Sequence, residues 1–150
     1  MSTAKHSLQY LLEQYKGEHD LTTDVLKCIL MNDTFTFDPE AHSVLTDVSA
    51  SELAAGNGYT QGGKTVESVT ATIDTANEKV TVQSAAAVSW EASGGDMAAS
   101  AAAIIFNDTH ANKTIVVGVQ FDTAKTAVDG TFLNVNTQNG IAEALITLPA

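Results

Sequence analysis

Thr114-Ile115-Val116-Val117-Gly118-Val119-Gln120-Phe121 is the stretch that decides the fold class. Five of its eight residues are β-branched. Such side chains are stiff about χ1 and pack well on a pleated surface, so the segment reads as a strand. Immediately upstream, Ala101–Phe106 is a second run of small and apolar residues, and Asn107-Asp108 between the two supplies turn chemistry.

Working outward, a two-residue period holds from Thr65 onward. Further strands are expected at Ser68–Asp74, Glu78–Gln83, Ala86–Glu91, Thr131–Val135 and Ile141–Leu148, separated by Thr75-Ala76-Asn77, Ser93-Gly94-Gly95, Asp129-Gly130 and Asn139-Gly140. Asp24–Met31 is too apolar on both sides for a surface strand and is expected at the centre of a sheet. The expected architecture is mainly β: an antiparallel, jelly-roll-like β-sandwich of about seven or eight strands.

Small helical pieces complete the expectation. Leu8, Leu11, Leu12 and Tyr15 fall at helical spacing, with Ser7 as N-cap, Gly17 as terminator, and Glu13, Gln14 and Lys16 on the opposite side. A helix this short is marginal alone and must pack on its own domain or on a neighbouring subunit. Asp38-Pro39-Glu40 reads as the start of a short helix, and Ser49 with Glu52 has capping-box spacing. Residues 1–20 are expected to form an N-terminal helical arm and residues 21–150 the β-sandwich domain.

The chain has 150 residues, enough for one domain, and a net charge of -11. All seven cationic side chains are lysine. Without arginine there is no planar fork for phosphate, and the acid excess repels nucleic acid; neither nucleic-acid recognition nor phosphoryl transfer is expected. The lone Cys28 allows no disulfide within the chain and sits in an apolar run, as a buried, inert thiol would. No signal-peptide pattern or membrane-length apolar run occurs, so synthesis in a cytoplasm and no membrane partner are expected.

The search for chemistry is unproductive. His6, His19, His42 and His110 stand among polar residues with no metal-ligand spacing and are expected to be exposed. The acids are dispersed, the densest sets being Glu18, Asp20 and Asp24 and, farther on, Asp122 with Asp129, places for at most an adventitious cation. Gly58–Thr65 satisfies the P-loop spacing, but a strand is expected after it where a P-loop requires a helix. Trp90 reads as a core anchor, with a sugar-stacking platform as the alternative. No catalytic, cofactor-binding or metal-ligating residue is assigned.

The segments Asp24–Met31, Phe35-Thr36-Phe37-Asp38, Ala41-His42, Asp47–Leu53 and Gly56–Thr65 follow one another in an order that resembles a family of small structural proteins of tailed bacteriophages. Val88–Gly95, Ala103–Asp108, Val117–Asp122 and Asp129–Phe132 continue the resemblance, which spans Leu21 to Ile146, with Gly56–Gly63 its most specific part.

The resemblance implies a non-enzymatic virion protein, a capsid decoration or cement protein on the outer surface of the shell, made in the host bacterial cytoplasm. The partners it implies are the major capsid protein and further copies of the chain, a trimer most simply. Candidate contacts are Leu8, Leu11, Leu12 and Tyr15 on the helix and Asn57, Tyr59 and Gln61 in the glycine-rich loop, which is expected to be adaptable. The alternatives are a neck, tail or head-fibre component, possibly binding a glycan or receptor, and a hydrolase built on two separated carboxylates. The acid excess fits an outer surface better than a lumen filled with DNA.

Overall fold

The computed structural model describes residues 2–137 and Ile141. Strand β1 (Thr3–His6) leads into helix α1 (Leu8–Tyr15), followed by β2 (Leu26–Asn32), the short helix α2 (Leu45–Val48) and one 3₁₀ turn at Ser49–Ser51. Then come β3 (Lys64–Val66), β4 (Thr70–Asp74), β5 (Lys79–Gln83), β6 (Val88–Glu91), β7 (Ser100–Asn107), β8 (Ile115–Lys125) and β9 (Phe132–Val135). The fold is mainly β, and every strand pairing among the described residues is antiparallel.

The main sheet has the order β1-β8-β7-β2-β3, with β4-β5 and β6-β9 as two-stranded ribbons. Its centre explains the uninterrupted apolar runs of the sequence: all eight residues of β7 are buried, and β2 is buried at five of seven positions. Both faces of the sheet are covered. Cys28, Leu30, Ala103 and Ile105 face a cluster that holds Trp90 and Leu133 of the β6-β9 ribbon, while Ile29, Met31, Ala102 and Ile104 face Phe35, Phe37 and Val48. The alanines 101–103 lie inside the sheet, so their smallness serves packing between its own layers.

Seven of the expected strands are present in shortened or extended form, and β8 runs on to Lys125. The expected strand Ile141–Leu148 lies outside the described residues except for Ile141, whose N–H donates to the Val82 carbonyl at 2.6 Å. Two strands, β1 and β3, are short and polar and have no sequence counterpart in the expectation. Because β1 pairs with β8 from Thr3↔Gln120 to His6↔Val117, residues of the expected arm supply an edge strand of the domain's own sheet.

The helical expectations are met unevenly. Asp38 does cap a turn, its Oδ1 accepting from the N–H groups of Glu40 and Ala41, but only one turn forms before the chain joins β8 through Val44↔Thr114. The Ser49/Glu52 capping box is absent; Asp47 instead accepts from the Ser43 and Val44 N–H groups and starts α2. Helix α1 has the expected bounds. Ser7 Oγ accepts from the Tyr10 N–H at 3.1 Å, and the helix closes with Gly17 at φ +75°, its N–H donating to Gln14 O and that of Glu18 to Glu13 O. This is the Schellman arrangement, and it needs a residue that tolerates positive φ.

The rotation of α1 corrects the sequence expectation. Tyr10 and Glu13 are buried, whereas Leu8 is 53%, Leu12 51% and Tyr15 92% exposed, with Leu11 half-buried. The cause lies at the N-terminal junction. Strand β1 is locked to β8, Ser7 Oγ donates to the Ile115 carbonyl at 2.6 Å, and Leu8 N–H donates to Pro39 O at 3.0 Å. With no residue of slack between strand and cap, residues 10 and 13 must face the sheet.

Candidate functional site

Glu13 is the centre of a buried polar cluster at the end of the main sheet. The cap at Gly17 turns the chain back so that Glu18 and His19 come beside the last turn of α1. From the other side, the end of β7 and the β7–β8 turn bring in Asn107 and His110, and the entry to β8 brings Thr114. Asn107 Oδ1 accepts from the N–H groups of Thr109 and His110 at 3.0 and 3.1 Å, and Lys113 N–H closes the turn on His110 O at 2.9 Å. Those bonds aim His110 at the helix.

Glu13 Oε1 accepts from Gln9 Nε2, and its Oε2 accepts from Thr114 Oγ1 and from His19 Nε2, each at 2.7 Å. Since Asn107 Oδ1 is occupied, its amide nitrogen is the atom facing outward, donating to His19 Nδ1 at 2.9 Å and Asp24 Oδ2 at 2.6 Å. His19 therefore accepts at Nδ1 and carries its hydrogen on Nε2, toward Glu13. Ring contacts continue the cluster: His110 to His19 at 4.6 Å, His19 to Tyr10 at 5.1 Å, and Tyr10 to His6 at 4.9 Å between centroids.

Burial alone would push the Glu13 carboxyl up. The hydrogen bonds from Gln9, Thr114 and His19, together with the positive charge available on His110, outweigh it and hold the group below the usual glutamate range. His6, whose Nδ1 donates to Val116 O at 2.7 Å, is pushed below the usual histidine value by its burial. Burial likewise raises Tyr10 to about 12. The Cys28 thiol, fully buried, is pushed far up, as expected of an inert core cysteine.

The histidines thus depart from the sequence expectation of exposed side chains. His6 and His19 are buried, His110 is largely covered, and His42 stacks on Phe35 at 5.2 Å. Sequence spacing could not reveal the cluster, because its members come from α1, the link after it and a turn about ninety residues on. The only linear hint was the dense set Glu18, Asp20 and Asp24. In the structure Asp20 accepts from Thr22, and Asp24 accepts from Asn107 and the Asp20 N–H.

The glycine-rich loop is the second region singled out by sequence, and it is tied to the sheet by hydrogen bonds and close backbone contacts. Gly56 and Tyr59 exchange both backbone hydrogen bonds at 3.0 Å. Tyr59, a candidate contact, is instead buried: its hydroxyl donates to Glu52 Oε1 at 2.8 Å and accepts from Leu30 N–H at 3.1 Å. With Leu53 N–H on Leu30 O at 2.8 Å, the loop continues the ladder of β2 where β3 ends. A Cβ at Gly58 would lie 1.9 Å from Glu91 O, and one at Gly63 would lie 2.0 Å from Cys28 O, so the glycines serve close backbone packing.

The other two loop candidates are exposed but engaged. Asn57 Nδ2 donates to Asp96 O at 2.8 Å and Gln61 Nε2 to Leu53 O at 3.4 Å. The structure therefore brings Leu8, Leu12 and Tyr15 together on one open face and does not join the loop residues to them. The P-loop spacing ends in β3, where a phosphate loop would need a helix. Trp90 is buried against Tyr59 at 5.9 Å, with Lys64 Nζ 5.9 Å from its ring centroid, so it offers no sugar platform.

A cleft of about 600 Å³ lies between β1, β8 and β9, lined by residues such as Ala4, Val119, Phe121, Phe132 and Ile141. Lys125 is its one titratable side chain among the described residues. No helix among the described residues is long and apolar enough to cross a membrane. No family model matches the chain, and neither a curated protein nor a solved structure matches it.

Proposed function

We propose that the chain is a non-enzymatic structural protein of a bacteriophage particle, a decoration protein on the outer capsid surface that binds the major capsid protein and further copies of itself. The observation that carries this reading is the outward face of α1. Leu8, Leu12 and Tyr15 stand open on a helix whose rotation is fixed by hydrogen bonds, so the apolar stripe is held ready for another surface. The family resemblance, spread over Leu21 to Ile146, supplies the phage setting. The acid excess supports an external position, away from packaged DNA.

In this reading each α1 contributes a modest contact and the shell contributes many copies, so firm attachment comes from repetition. The inward cluster around Glu13 then acts as the mount that keeps the contact helix on its sheet. The test is addition of the purified chain to undecorated capsids of the parent phage, followed by cryo-electron microscopy. Stoichiometric outer density is expected, with α1 at the contact. Leu12→Ser with Tyr15→Ser should lower occupancy by at least an order of magnitude, and full occupancy by that variant, or density confined to the lumen or tail, overturns the reading.

A further inference from the structure

Strand β4 pairs with β5 on one side and has no strand on the other among the described residues. Antiparallel pairing turns alternate N–H and C=O groups of β4 toward β5 and leaves the rest aimed outward, a template for one more strand. Thr70, Ala71, Thr72 and Ile73 are all exposed. Ile73, at 78%, is the most exposed large aliphatic side chain among the described residues. A two-stranded ribbon is marginal in water, and further strands stabilise it.

Open edges of folded proteins commonly carry lysine or proline, which discourages strand addition. The edge strands of the main sheet do so, with Lys5 in β1 and Lys64 in β3. Thr70-Ala71-Thr72-Ile73 carries neither, nor any charge, in a chain of net charge -11, so two copies repel each other least where these edges meet. The edge also matches itself. Ser68, at φ +52°, ends the extended chain on one side, and a turn in which Asp74 Oδ1 accepts from the Asn77 N–H at 3.2 Å ends it on the other. Thr72 is the midpoint, and an antiparallel copy centred there gives every residue of Thr70–Asp74 a partner. Thr72 then meets its own counterpart, Ile73 lies opposite the small Ala71, and Asp74 lies opposite Thr70, all compatible cross-strand pairs. The two Asp74 carboxylates are kept roughly 13 Å apart along the strands, beyond the screening length of about 8 Å at physiological salt.

We propose that the free edge of β4 is a self-association surface, where a second copy of the chain adds its own β4 antiparallel across a two-fold axis at Thr72. The product is a four-stranded sheet in the order β5-β4-β4-β5. The same surface serves both copies, so the contact closes on itself and stops at two. A pairing of five residues on each side is small beside the roughly 800 Å² per partner of a stable interface, so the pair is weak in solution. A scaffold that presents copies side by side would strengthen it. The contact is separate from α1, and it stands whether or not the outward helix face docks on a capsid.

The test is sedimentation of the purified full chain over a concentration series at low and high salt, with hydrogen exchange followed at β4. A monomer–dimer equilibrium is expected, strengthened by salt because both copies carry the same net charge. The outward amides of Thr70–Asp74 should exchange more slowly as dimer accumulates. Thr72→Lys and Thr72→Glu each set like charges opposite one another and should weaken association about tenfold, while an equimolar mixture of the two should recover it. That recovery also shows that both variants are folded. Leu12→Ser, on α1, should leave the equilibrium unchanged. A monomer at every concentration and salt, a dimer without slowed β4 amides, or those amides already protected in the monomer overturns the proposal. So does undiminished pairing by Thr72→Lys, a mixture that fails to pair, or loss of pairing in Leu12→Ser.

Discussion

On the inward face of α1, Glu13 receives three side-chain hydrogen bonds and Tyr10 packs between the rings of His6 and His19. On the outward face, Leu8, Leu12 and Tyr15 stand open. An isolated amphipathic helix would turn the other way, because burying a leucine gains about 1.5–3 kcal/mol and burying an unpaired carboxylate costs more than that. The difference teaches that a helix tied to a strand does not choose its own rotation. Here β1 and the Ser7–Ile115 bond choose it, and Glu13 is tolerable inside because its carboxylate oxygens are both satisfied.

The largest effect should come from emptying the inward face. Glu13→Ala leaves Gln9, Thr114 and His19 without their acceptor in a covered site. Each buried donor without a partner costs about 1–3 kcal/mol, and water admitted to the gap recovers part of it. A loss of about 3 kcal/mol in urea unfolding is expected. A loss under about 0.5 kcal/mol, the range typical of surface positions, would show that the two faces are energetically alike.

A smaller effect separates charge from hydrogen bonding. Glu13 is held below the usual glutamate range in the folded chain, so its contribution is complete above the unfolded value of about 4.3 and is lost as pH falls through the lower folded value. Glu13→Gln keeps the shape and most acceptor capacity but cannot titrate. At pH 7 it should cost about 1 kcal/mol, a typical hydrogen-bond contribution, and below pH 4 the gap to the native chain should narrow. His6, lowered by burial, also destabilises the fold below about pH 6.5, but equally in both proteins. A gap that stays constant across Tm measurements from pH 7 to pH 3 would refute the assignment.

The contrast also explains what the sequence could convey. The central strands were legible because both sides of β2 and β7 are apolar, a pattern with few other solutions. Strands β1 and β3 were not legible, since Thr3–His6 and Lys64–Val66 are short edge strands whose residues suit a loop equally well. Strand β1 has a direct consequence: without it the rotation of α1 is open, helical spacing alone puts Glu13 outside, and the histidines around it have no reason to converge. The glycine loop misled in the opposite sense. Its composition reads as mobility, yet Gly58 and Gly63 are there because the Glu91 and Cys28 carbonyls leave no room for a side chain.

The smallest effect is expected on the outward face, and its smallness is informative. Leu12→Ser removes apolar surface that is already 51% exposed, and serine fits a helix slightly worse than leucine. A stability change within about 0.5 kcal/mol follows, as for surface positions that make no special contact. If urea unfolding instead shows a loss above about 1.5 kcal/mol at low protein concentration, Leu12 is packed within the single chain and the outward face does not exist. A loss that grows with protein concentration has a different meaning: copies of the chain then meet through Leu12, and dilution of the native protein should lower its Tm while leaving that of the variant unchanged.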